Sequence, residues 1–297
     1  MTTTIEDAAR LLRDGEVVAF PTETVYGLGA NALDAEAVRR IYALKGRPAT
    51  SPLIVHVASV EMARGLSSAW PAAAEELALR YWPGPLSIVV PKIAAVPDEV
   101  TSGLPTVGLR IPRHPVALRL LALAGVPVAA PSANKFTEVS PTTAQHVREA
   151  FGDAVPVVDG GPCEVGIEST VVSVSASGKI QLLRPGMLRI PEAVIAEIES
   201  KSMSPGLHPK HYSPRRTRVV IGRQAVEGGI YVWHTSPTGN DAQLQLPKEP
   251  HAYAAQLYAV LHELDARGYT ALVFEPLPED AAWDALRDRL TRASIVA

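Results

Sequence analysis

The chain has 297 residues, of which 47% are hydrophobic and 20% are charged, with a formal net charge of −3 and a pI near 6.3. This length can bury a substantial core and is enough for two domains of unequal size. The charge balance excludes a chain-wide basic field for nucleic acid and a polyanionic tail, so any charge that attracts a ligand must be local.

The single cysteine, Cys163, excludes an intrachain disulfide and a zinc site built from several cysteines. We expect it to be a small buried or loop residue in a protein of a reducing compartment. The N-terminus lacks a basic segment followed by an apolar one, and no apolar run approaches the roughly 18 residues of a spanning helix. The sequence therefore predicts a cytoplasmic protein that is not bound to a membrane.

Residues 1–200 alternate between helical and strand-like patterns, which predicts an α/β sheet domain with flanking helices. Thr4 opens the first helix with a capping pattern, Gly15 stops it, and a buried strand follows at 17–20. Asp34 caps the second helix. Further strands are predicted at 53–57, 86–90, 107–111, 126–130, 169–174 and 180–183, and further helices near 71–81, 115–124, 141–151 and 191–200.

A change in composition at 201–216 predicts a linker. This segment contains four Lys or Arg residues, no acidic residue and three prolines. Residues 217–297 return to the α/β pattern and predict a small second domain. Its elements are predicted as strands at 217–221, 229–233 and 271–274, a helix at 251–267 and a last helix from about 279.

The familiar glycine-rich nucleotide motifs are missing, but Lys45, Gly46 and Arg47 directly follow a helix. A point charge and a planar guanidinium two residues apart suit a polyphosphate. The alternative is a solvated helix end, where basic residues are favourable in any case. For K-G-R alone, this alternative is the better interpretation.

Polar residues follow the strand that ends near Ala130, in the sequence A-P-S-A-N at 130–134. Ligands of α/β sheets usually bind at such strand ends, although an ordinary polar turn would also explain the pattern. Ser140 is predicted to cap the next helix with Pro141 at its first position, which would leave backbone N–H groups for an anion. Capping alone explains this feature equally well.

Other polar residues lie within or beside apolar strands. The segment 21–29, P-T-E-T-V-Y-G-L-G, carries more polar side chains than a structural turn needs. His56 alone would be interpreted as a core histidine. Arg110 lies in an apolar strand and needs an anionic partner, either a carboxylate substrate or Glu23.

These segments occur in one order and spacing that resembles the YrdC-like family across residues 1–190. The segments S-P-G at 204–206 and H-Y-S-P at 211–214, with the α/β tail, resemble its two-domain members, the threonylcarbamoyl-AMP synthases. The motifs that carry the resemblance are 21–29, K-G-R-P at 45–48, P-L-I-V-H at 52–56, W-P-G-P-L at 82–86, A-P-S-A-N at 130–134, S-P-T at 140–142, E-S-T at 168–170 and L-R-P-G at 183–186. After S-x-N, this chain has Lys135 and Phe136 where family members often have Ser-Gly.

The resemblance implies a YrdC-like open twisted mixed sheet as catalytic domain at 1–200, a basic linker at 201–216 that covers the site, and a Rossmann-like α/β domain at 217–297. It implies that L-threonine, bicarbonate and ATP, with Mg²⁺, are condensed to threonylcarbamoyl-AMP and pyrophosphate. The product would pass to a separate transferase that modifies adenosine in tRNA. Contact with tRNA is compatible with this function but not required.

The resemblance also assigns residues to each substrate. The catalytic tetrad would be Lys45, Arg47, Ser132 and Asn134. The ATP site would contain these four with Ser51, Thr106, Ser140, Arg184, His211 and Tyr212. The threonine site would contain Thr24, His56, Arg110, the Ala130 backbone and Ser169.

No covalent nucleophile is needed for this chemistry, so catalysis would depend on proximity and charge neutralisation. His211 and Tyr212 are hypothesised to close over the nucleotide and exclude water.

Two other functions compete with this one. A non-enzymatic RNA-binding protein of the same fold would need a basic surface, yet residues 1–200 contain 17 Lys and Arg against 21 Asp and Glu. A carbamoyl-phosphate-using maturation factor would carry additional zinc-binding and acylphosphatase-like segments that this sequence lacks.

Overall fold

The computed structural model describes residues 1–48, 50–195, 211–238 and 242–294. The first part contains the helices α1 (Ile5–Arg13), α2 (Ala35–Lys45), α3 (Val60–Gly65), α4 (Ala72–Tyr81), α5 (Asp98–Thr101), α6 (Pro115–Ala124) and α7 (Ala144–Phe151). Its strands are β1 (Val18–Phe20), β2 (Gly27–Asn31), β3 (Ile54–His56), β4 (Leu86–Pro91), β5 (Thr106–Arg110), β6 (Val128–Ala129), β7 (Thr170–Val174), β8 (Ile180–Arg184) and β9 (Val194–Ile195).

These nine strands form one mixed sheet in the order β1-β2-β6-β3-β5-β4-β7-β8-β9. The pairs β3–β5, β4–β7 and β8–β9 are parallel, and the other neighbours are antiparallel. The open mixed sheet with flanking helices confirms the predicted fold class. Because β3 pairs with β5 in register, His56 lies opposite Arg110, and the sheet brings two predicted site residues together.

The second part contains strands β10 (Arg218–Ile221), β11 (Ile230–Trp233), β12 (Gln243–Gln245) and β13 (Ala271–Phe274), with helices α8 (Pro250–Ala266) and α9 (Asp284–Ser294). Its four strands are all parallel, in the order β10-β13-β11-β12. Parallel strands need crossover connections, and α8 forms the one between β12 and β13. This architecture is the α/β domain that the sequence predicts. Short 3-10 turns lie at Gly152–Ala154 and Ala281–Trp283.

Two predicted helix starts are confirmed by their caps. Thr4 Oγ1 accepts a hydrogen bond from the Asp7 backbone N–H at 3.1 Å, and Asp34 Oδ1 accepts one from the Glu36 N–H at 2.9 Å. The predicted start of α7 is wrong. The N-cap of α7 is Thr143 and not Ser140. Pro141 therefore lies before the helix, and the free N–H groups of the first turn of α7 follow Thr143.

The predicted helix near 191–200 is also wrong where it can be checked. Residues 191–193 form a turn and the two residues of β9 follow, while 196–200 lie outside the described residues. The segment 201–210 of the predicted linker, and therefore the predicted boundary at 200, lie outside them as well. The sequence also did not predict the short helices α3 and α5 or the strands β2 and β12.

One hydrophobic cluster joins the two parts of the chain. Val25, Val139 and Ile167 of the first part pack with residues of α8 and α9, including Leu257 and Leu286, and all are at most 7% exposed. The two parts therefore share a core, and the position of the second part relative to the site is fixed by apolar packing. No helix in the described ranges is long and apolar enough to cross a membrane.

Candidate active site

A cavity opens where the segments after β1, α2 and β6 meet strands β3 and β5, the start of β7 and the end of β8. The space inside it, together with its open mouth, is about 560 Å³. Its lining contains ten of the predicted site residues, namely Thr24, Arg47, His56, Arg110, Ala130, Ser132, Ser169, Arg184, His211 and Tyr212. Six further residues complete the lining: Thr22, Val25, Gly27, Ile54, Pro131 and Glu168.

The loop after β1 is rigid because its own side chains bind its backbone. Thr22 Oγ1 donates to the Val25 carbonyl at 2.6 Å and accepts the N–H groups of Thr24 and Val25 at 3.2 Å. Thr22 and Thr24 also share a hydroxyl hydrogen bond of 2.8 Å. The polar residues of this segment therefore hold the loop, and Thr24 is presented to the cavity in one orientation.

Lys45 is buried below the 130–134 loop, outside the cavity lining. Its ammonium donates to the carbonyl oxygens of Ser132 and Asn134, both at 2.6 Å. Burial, and then the charge of Arg47, hold the pKa of Lys45 well below its usual value. Two of the three ammonium donors of Lys45 therefore bind carbonyl oxygens, and these bonds hold the backbone of the S-x-N turn in place.

Arg47 reaches the cavity because Gly46 turns the chain at the end of α2. Gly46 adopts a left-handed conformation with φ of 63°, which glycine accepts without steric cost. The Arg47 Nη2 atom donates to the carbonyls of Ser51 and Pro52, each at 3.2 Å, and contacts the Ser51 hydroxyl. Burial lowers the pKa of Arg47 to about 10, so the guanidinium stays charged at neutral pH.

Arg110 forms an ion pair with Glu23, one of the two anionic partners that the sequence analysis considered. Its Nη2 atom lies 2.7 Å from Glu23 Oε1, and its Nη1 atom donates to Thr24 Oγ1 at 3.0 Å. Burial raises the pKa of Glu23, but the charge and hydrogen bond of Arg110 outweigh burial and keep that pKa below its usual value. The pair places a fixed guanidinium against the cavity, a suitable partner for a carboxylate ligand.

His56 lies beside Arg110 as a neutral imidazole. Burial, and then the neighbouring Arg110 charge, lower its pKa to about 3. The ring packs edge-on against Phe20 with centroids 5.9 Å apart, and its Nδ1 atom has no hydrogen-bond partner among the described residues. A buried polar atom without a partner is unfavourable, so this nitrogen is a candidate contact for a polar ligand.

Ser169 and Arg184 meet where β7 begins and β8 ends. The Arg184 Nη2 atom donates to the Ser169 carbonyl at 3.1 Å and to its hydroxyl at 3.3 Å. Ser169 also shares a hydroxyl hydrogen bond of 2.9 Å with Ser87 on β4. This part of the cavity is therefore built from three neighbouring strands and holds a second guanidinium at a fixed place.

Glu168 is a lining residue that sequence reasoning did not assign a role. Its Oε1 atom accepts from the Ser140 hydroxyl at 2.6 Å, and its Oε2 atom accepts from the Tyr258 hydroxyl at 3.0 Å and from Arg289 Nε at 3.1 Å. Burial raises its pKa, but the charges of Arg289 and Arg184 outweigh burial and lower it overall. Glu168 was visible as part of E-S-T, whereas the distant Tyr258 and Arg289 carried no sequence signal.

His211 and Tyr212 are buried residues that also line the cavity. Their rings lie edge to face at 4.1 Å, and His211 also lies against Phe136 at 6.4 Å. The next residue, Ser213, donates its N–H to the Thr137 carbonyl at 3.0 Å. The end of the linker is thus docked on the loop after the S-x-N turn, where this chain has the bulky Phe136.

Four predicted residues besides Lys45 are not in the lining. Ser51 contacts Arg47, and Asn134 donates from Nδ2 to the Lys135 and Glu138 carbonyls at 2.9 and 2.8 Å. Ser140 contacts Glu168 behind the cavity. Thr106 begins β5, four residues before Arg110. Their roles toward a substrate remain predictions, and the contacts of Ser51 and Ser140 support the lining residues Arg47 and Glu168.

The electrostatics of the cavity favour an anionic ligand. Three guanidinium groups line it against the carboxylate of Glu168, with Glu23 behind Arg110. The ring Nδ1 of His211 and the hydroxyl of Tyr212 are buried, with no hydrogen-bond partner in the ranges that the structure describes. The described residues contain no group of three acidic, His or Cys side chains able to hold a metal ion.

Cys163 provides a simple check of burial near the cavity. It is 6% exposed, and burial, more than the nearby Glu23 charge, raises its thiol pKa to about 12. Since the thiolate is the reactive form, we expect no labelling of the native protein by Ellman's reagent at pH 8 and one thiol per chain after denaturation. Rapid labelling of the native protein would contradict this burial.

The fold and cavity together define an α/β protein with a mixed sheet and an arginine-lined cavity at its strand ends. Residues 10–186 match the Sua5, YciO and YrdC family model, described as telomere recombination. Residues 178–294 match the model described as the C-terminal domain of threonylcarbamoyl-AMP synthase. The chain therefore belongs to the Sua5/YciO/YrdC family and has the two-domain form.

Relatives of full length support this assignment. A threonylcarbamoyl-AMP synthase of Pyrococcus abyssi is 39% identical over 98% of this chain and 94% of its own length. The threonylcarbamoyl-AMP synthase of Bacillus subtilis is also 39% identical, over 98% of this chain and 92% of its own length. The crystal structure of P. abyssi Sua5 complexed with L-threonine matches with a TM-score of 0.89 and 38% identity, covering 98% of this chain and 94% of that one.

Proposed function

We propose that this chain is an enzyme that condenses L-threonine, bicarbonate and ATP into threonylcarbamoyl-AMP, with release of pyrophosphate. The observation that carries the proposal is that one cavity contains residues from both predicted substrate sets. Full-length similarity to threonylcarbamoyl-AMP synthases supports the same reaction.

We place the two substrates at opposite ends of the cavity. Threonine lies against Thr24, His56, Arg110 and Ser169, where the Arg110 guanidinium receives its carboxylate. Neutral His56 can accept or donate a hydrogen bond without repelling the nearby charges. ATP lies toward Arg47, Arg184, His211 and Tyr212, with its phosphates beside the S-x-N turn.

The reaction needs two bond-forming steps. The threonine amine attacks the carbon of CO₂, a C–N bond forms, and loss of a proton gives a carbamate. When bicarbonate is the reactant, a C–O bond also breaks and water leaves. A carbamate oxygen then attacks the α-phosphorus of ATP, a new P–O bond forms, and the bond to the β-phosphate breaks as pyrophosphate leaves. Arg47 and Arg184 offset the negative charge of the phosphates, and each such contact contributes roughly 2–4 kcal/mol.

We propose that Mg²⁺ enters with ATP. Mg²⁺ keeps several waters and usually binds substrate phosphates with only one or two carboxylates. The two carboxylates nearest the cavity already accept hydrogen bonds from protein groups, Glu23 from Arg110 and Glu168 from Ser140, Tyr258 and Arg289. The charge of bound Mg²⁺ would neutralise the phosphates further.

The product is an activated carbamate that water can destroy. We propose that it passes in the cytoplasm to a tRNA threonylcarbamoyl transferase, which transfers the group to adenosine. The docked His211 and Tyr212 support a cavity that excludes water while the product is held.

The test is pyrophosphate release by the purified protein with ATP and Mg²⁺. We expect release only when threonine and bicarbonate are both present, because the carbamate is the nucleophile. A threonine analogue without its carboxylate, 1-amino-2-propanol, is the matched control and should give little release, since Arg110 loses its partner. Turnover of ATP that is independent of threonine would contradict the proposal.

A further inference from the structure

Two side chains of the second domain lie behind the wall of the cavity, outside its lining, and bind a lining residue. Tyr258 on α8 and Arg289 on α9 both bind Glu168 Oε2, at 3.0 and 3.1 Å. Arg289 is fully buried, and its Nη1 atom also donates to the Pro185 carbonyl at 2.9 Å, next to Arg184. The second domain thus fixes both the acidic residue of the cavity and the end of β8.

The same two side chains enclose Tyr212. Its ring stacks on Tyr258 with centroids 5.7 Å apart and an interplanar angle of 24°. The Arg289 guanidinium lies 5.4 Å from the Tyr212 ring centroid. Tyr212 has a φ of 61°, a conformation that bulky residues rarely adopt and that persists when surrounding contacts enforce it.

A close backbone contact fixes α8 against the first domain. Gly166 has a φ of 79°, and a Cβ atom there would lie 2.3 Å from the Ala254 carbonyl oxygen. Only glycine allows this approach. Tyr258, one helical turn after Ala254, is therefore held at a fixed distance from Glu168.

We infer that Tyr258 and Arg289 are positioning residues of the ATP end of the cavity, which act through Glu168 and Tyr212. The test of this inference by KM values rests on the proposed function, whereas the test by direct ATP binding does not. Glu168 accepts a hydrogen bond from Ser140, and Tyr212 is itself a residue that we assign to ATP. Loosening Tyr258 or Arg289 should therefore weaken ATP binding more than threonine binding, although Ser169 of the threonine site directly follows Glu168.

The first test is Tyr258→Phe, which removes one hydroxyl and keeps the ring that stacks on Tyr212. We expect KM for ATP to rise about tenfold, because a hydrogen bond to a carboxylate is lost, while KM for threonine stays within about twofold. A residue with only a structural role would lower the active fraction, so kcat would fall while both KM values stayed the same. That outcome, or no change at all, would overturn the inference.

Tyr253→Phe is the matched control. Tyr253 lies five residues earlier in α8 and is as buried as Tyr258, with 1% and 0% of the two residues exposed. Its ring packs on His234 and Trp283 and not on Tyr212. We expect unchanged KM values for both substrates. A rise in KM for ATP in this control equal to that of Tyr258→Phe would overturn the inference, because it would show a general effect of α8.

Arg289→Met with and without Glu168→Gln separates positioning from folding. The single variant leaves a buried carboxylate without its charged partner and should lower Tm, and the added Glu168→Gln should recover much of that loss. KM for ATP should remain raised in the double variant, since Tyr212 has lost the guanidinium. Recovery of both Tm and KM to the original values would overturn the inference.

Direct binding of ATP by calorimetry distinguishes failure of the inference from failure of the proposed function. If the unmodified protein does not release pyrophosphate with threonine, the proposed function fails. Weaker ATP binding by Tyr258→Phe than by Tyr253→Phe would still support the inference. Equal ATP binding by the two variants would overturn it.

Discussion

Replacing Arg47 with methionine is expected to lower kcat/KM for ATP by about 100- to 1,000-fold, the loss typical of a charge-stabilising donor. The side chain lines the cavity, and its Nε atom has no hydrogen-bond partner among the described residues. Its Nη2 atom contacts only uncharged oxygens of Ser51 and Pro52, so the substitution leaves no buried carboxylate behind. Initial rates of pyrophosphate release at varied ATP would measure the effect.

The control for Arg47→Met is Arg39→Met on α2, the helix that ends just before Arg47. Arg39 is exposed and pairs with Glu36 at 2.6 Å on the surface, a type of ion pair worth about 0–1 kcal/mol. We expect unchanged kcat/KM for Arg39→Met and a Tm within about 4 °C of the original for both variants. Activity of Arg47→Met close to the original would rule out Arg47 as the phosphate contact.

Replacing Arg110 with methionine is expected to damage both stability and activity. It leaves the carboxylate of Glu23, which is 0% exposed, without its charged partner, at a cost of about 3–5 kcal/mol of unfolding free energy. It also removes the group that we assign to the threonine carboxylate. Urea unfolding and threonine-dependent turnover would measure the two effects.

The double variant Arg110→Met with Glu23→Gln separates these effects. We expect most of the stability to return, because neither charge remains, while threonine-dependent turnover stays at least about 100-fold reduced. Recovery of turnover would contradict the assignment of Arg110 to threonine.

The pH dependence of stability provides a further check on the same pair. Folding lowers the pKa of Glu23 below its ordinary value of 4.5, because the charge and hydrogen bond of Arg110 outweigh burial. The carboxylate therefore stabilises the fold fully above that value, and the stabilisation is lost as pH falls through the lower folded pKa. The double variant should show a shallower loss of stability below about pH 4.5 than the original chain.

The fold was largely predictable because local signals and tertiary packing agree. The capping residues Thr4 and Asp34 and the apolar strands were recognised from patterns within about ten residues. The start of α7 was mispredicted because Ser140 and Thr143 are both good caps, and the sequence does not show that Ser140 donates its hydroxyl to Glu168. Tertiary contacts decided between two equally suitable residues.

The site was predictable only as a set of motifs. Polar groups at strand ends, with Arg110 inside an apolar strand, indicated a site but not its geometry. Tyr258 and Arg289 could not be found this way, because each lies in an amphipathic helix where a buried tyrosine or arginine has no distinguishing neighbour. Their roles depend on contacts across 90 and 121 residues of sequence.

Lys45 shows that a motif does not reveal which of its residues lines a cavity. K-G-R indicated two cations for phosphate, and the charge types fit that interpretation. In the structure, Lys45 binds two carbonyl oxygens under the S-x-N turn while Arg47 lines the cavity. The motif therefore divides into one residue that shapes the turn and one that faces the ligand.

The shared hydrophobic cluster restricts how this chain can diverge. Val25, Val139 and Ile167 fill the same space as side chains of α8 and α9, so a change of volume on one side must be matched on the other. The two halves are consequently not exchangeable modules. A chimera that joins this catalytic half to the second half of a distant relative would inherit mismatched surfaces, even if each half retained every residue of its own motifs.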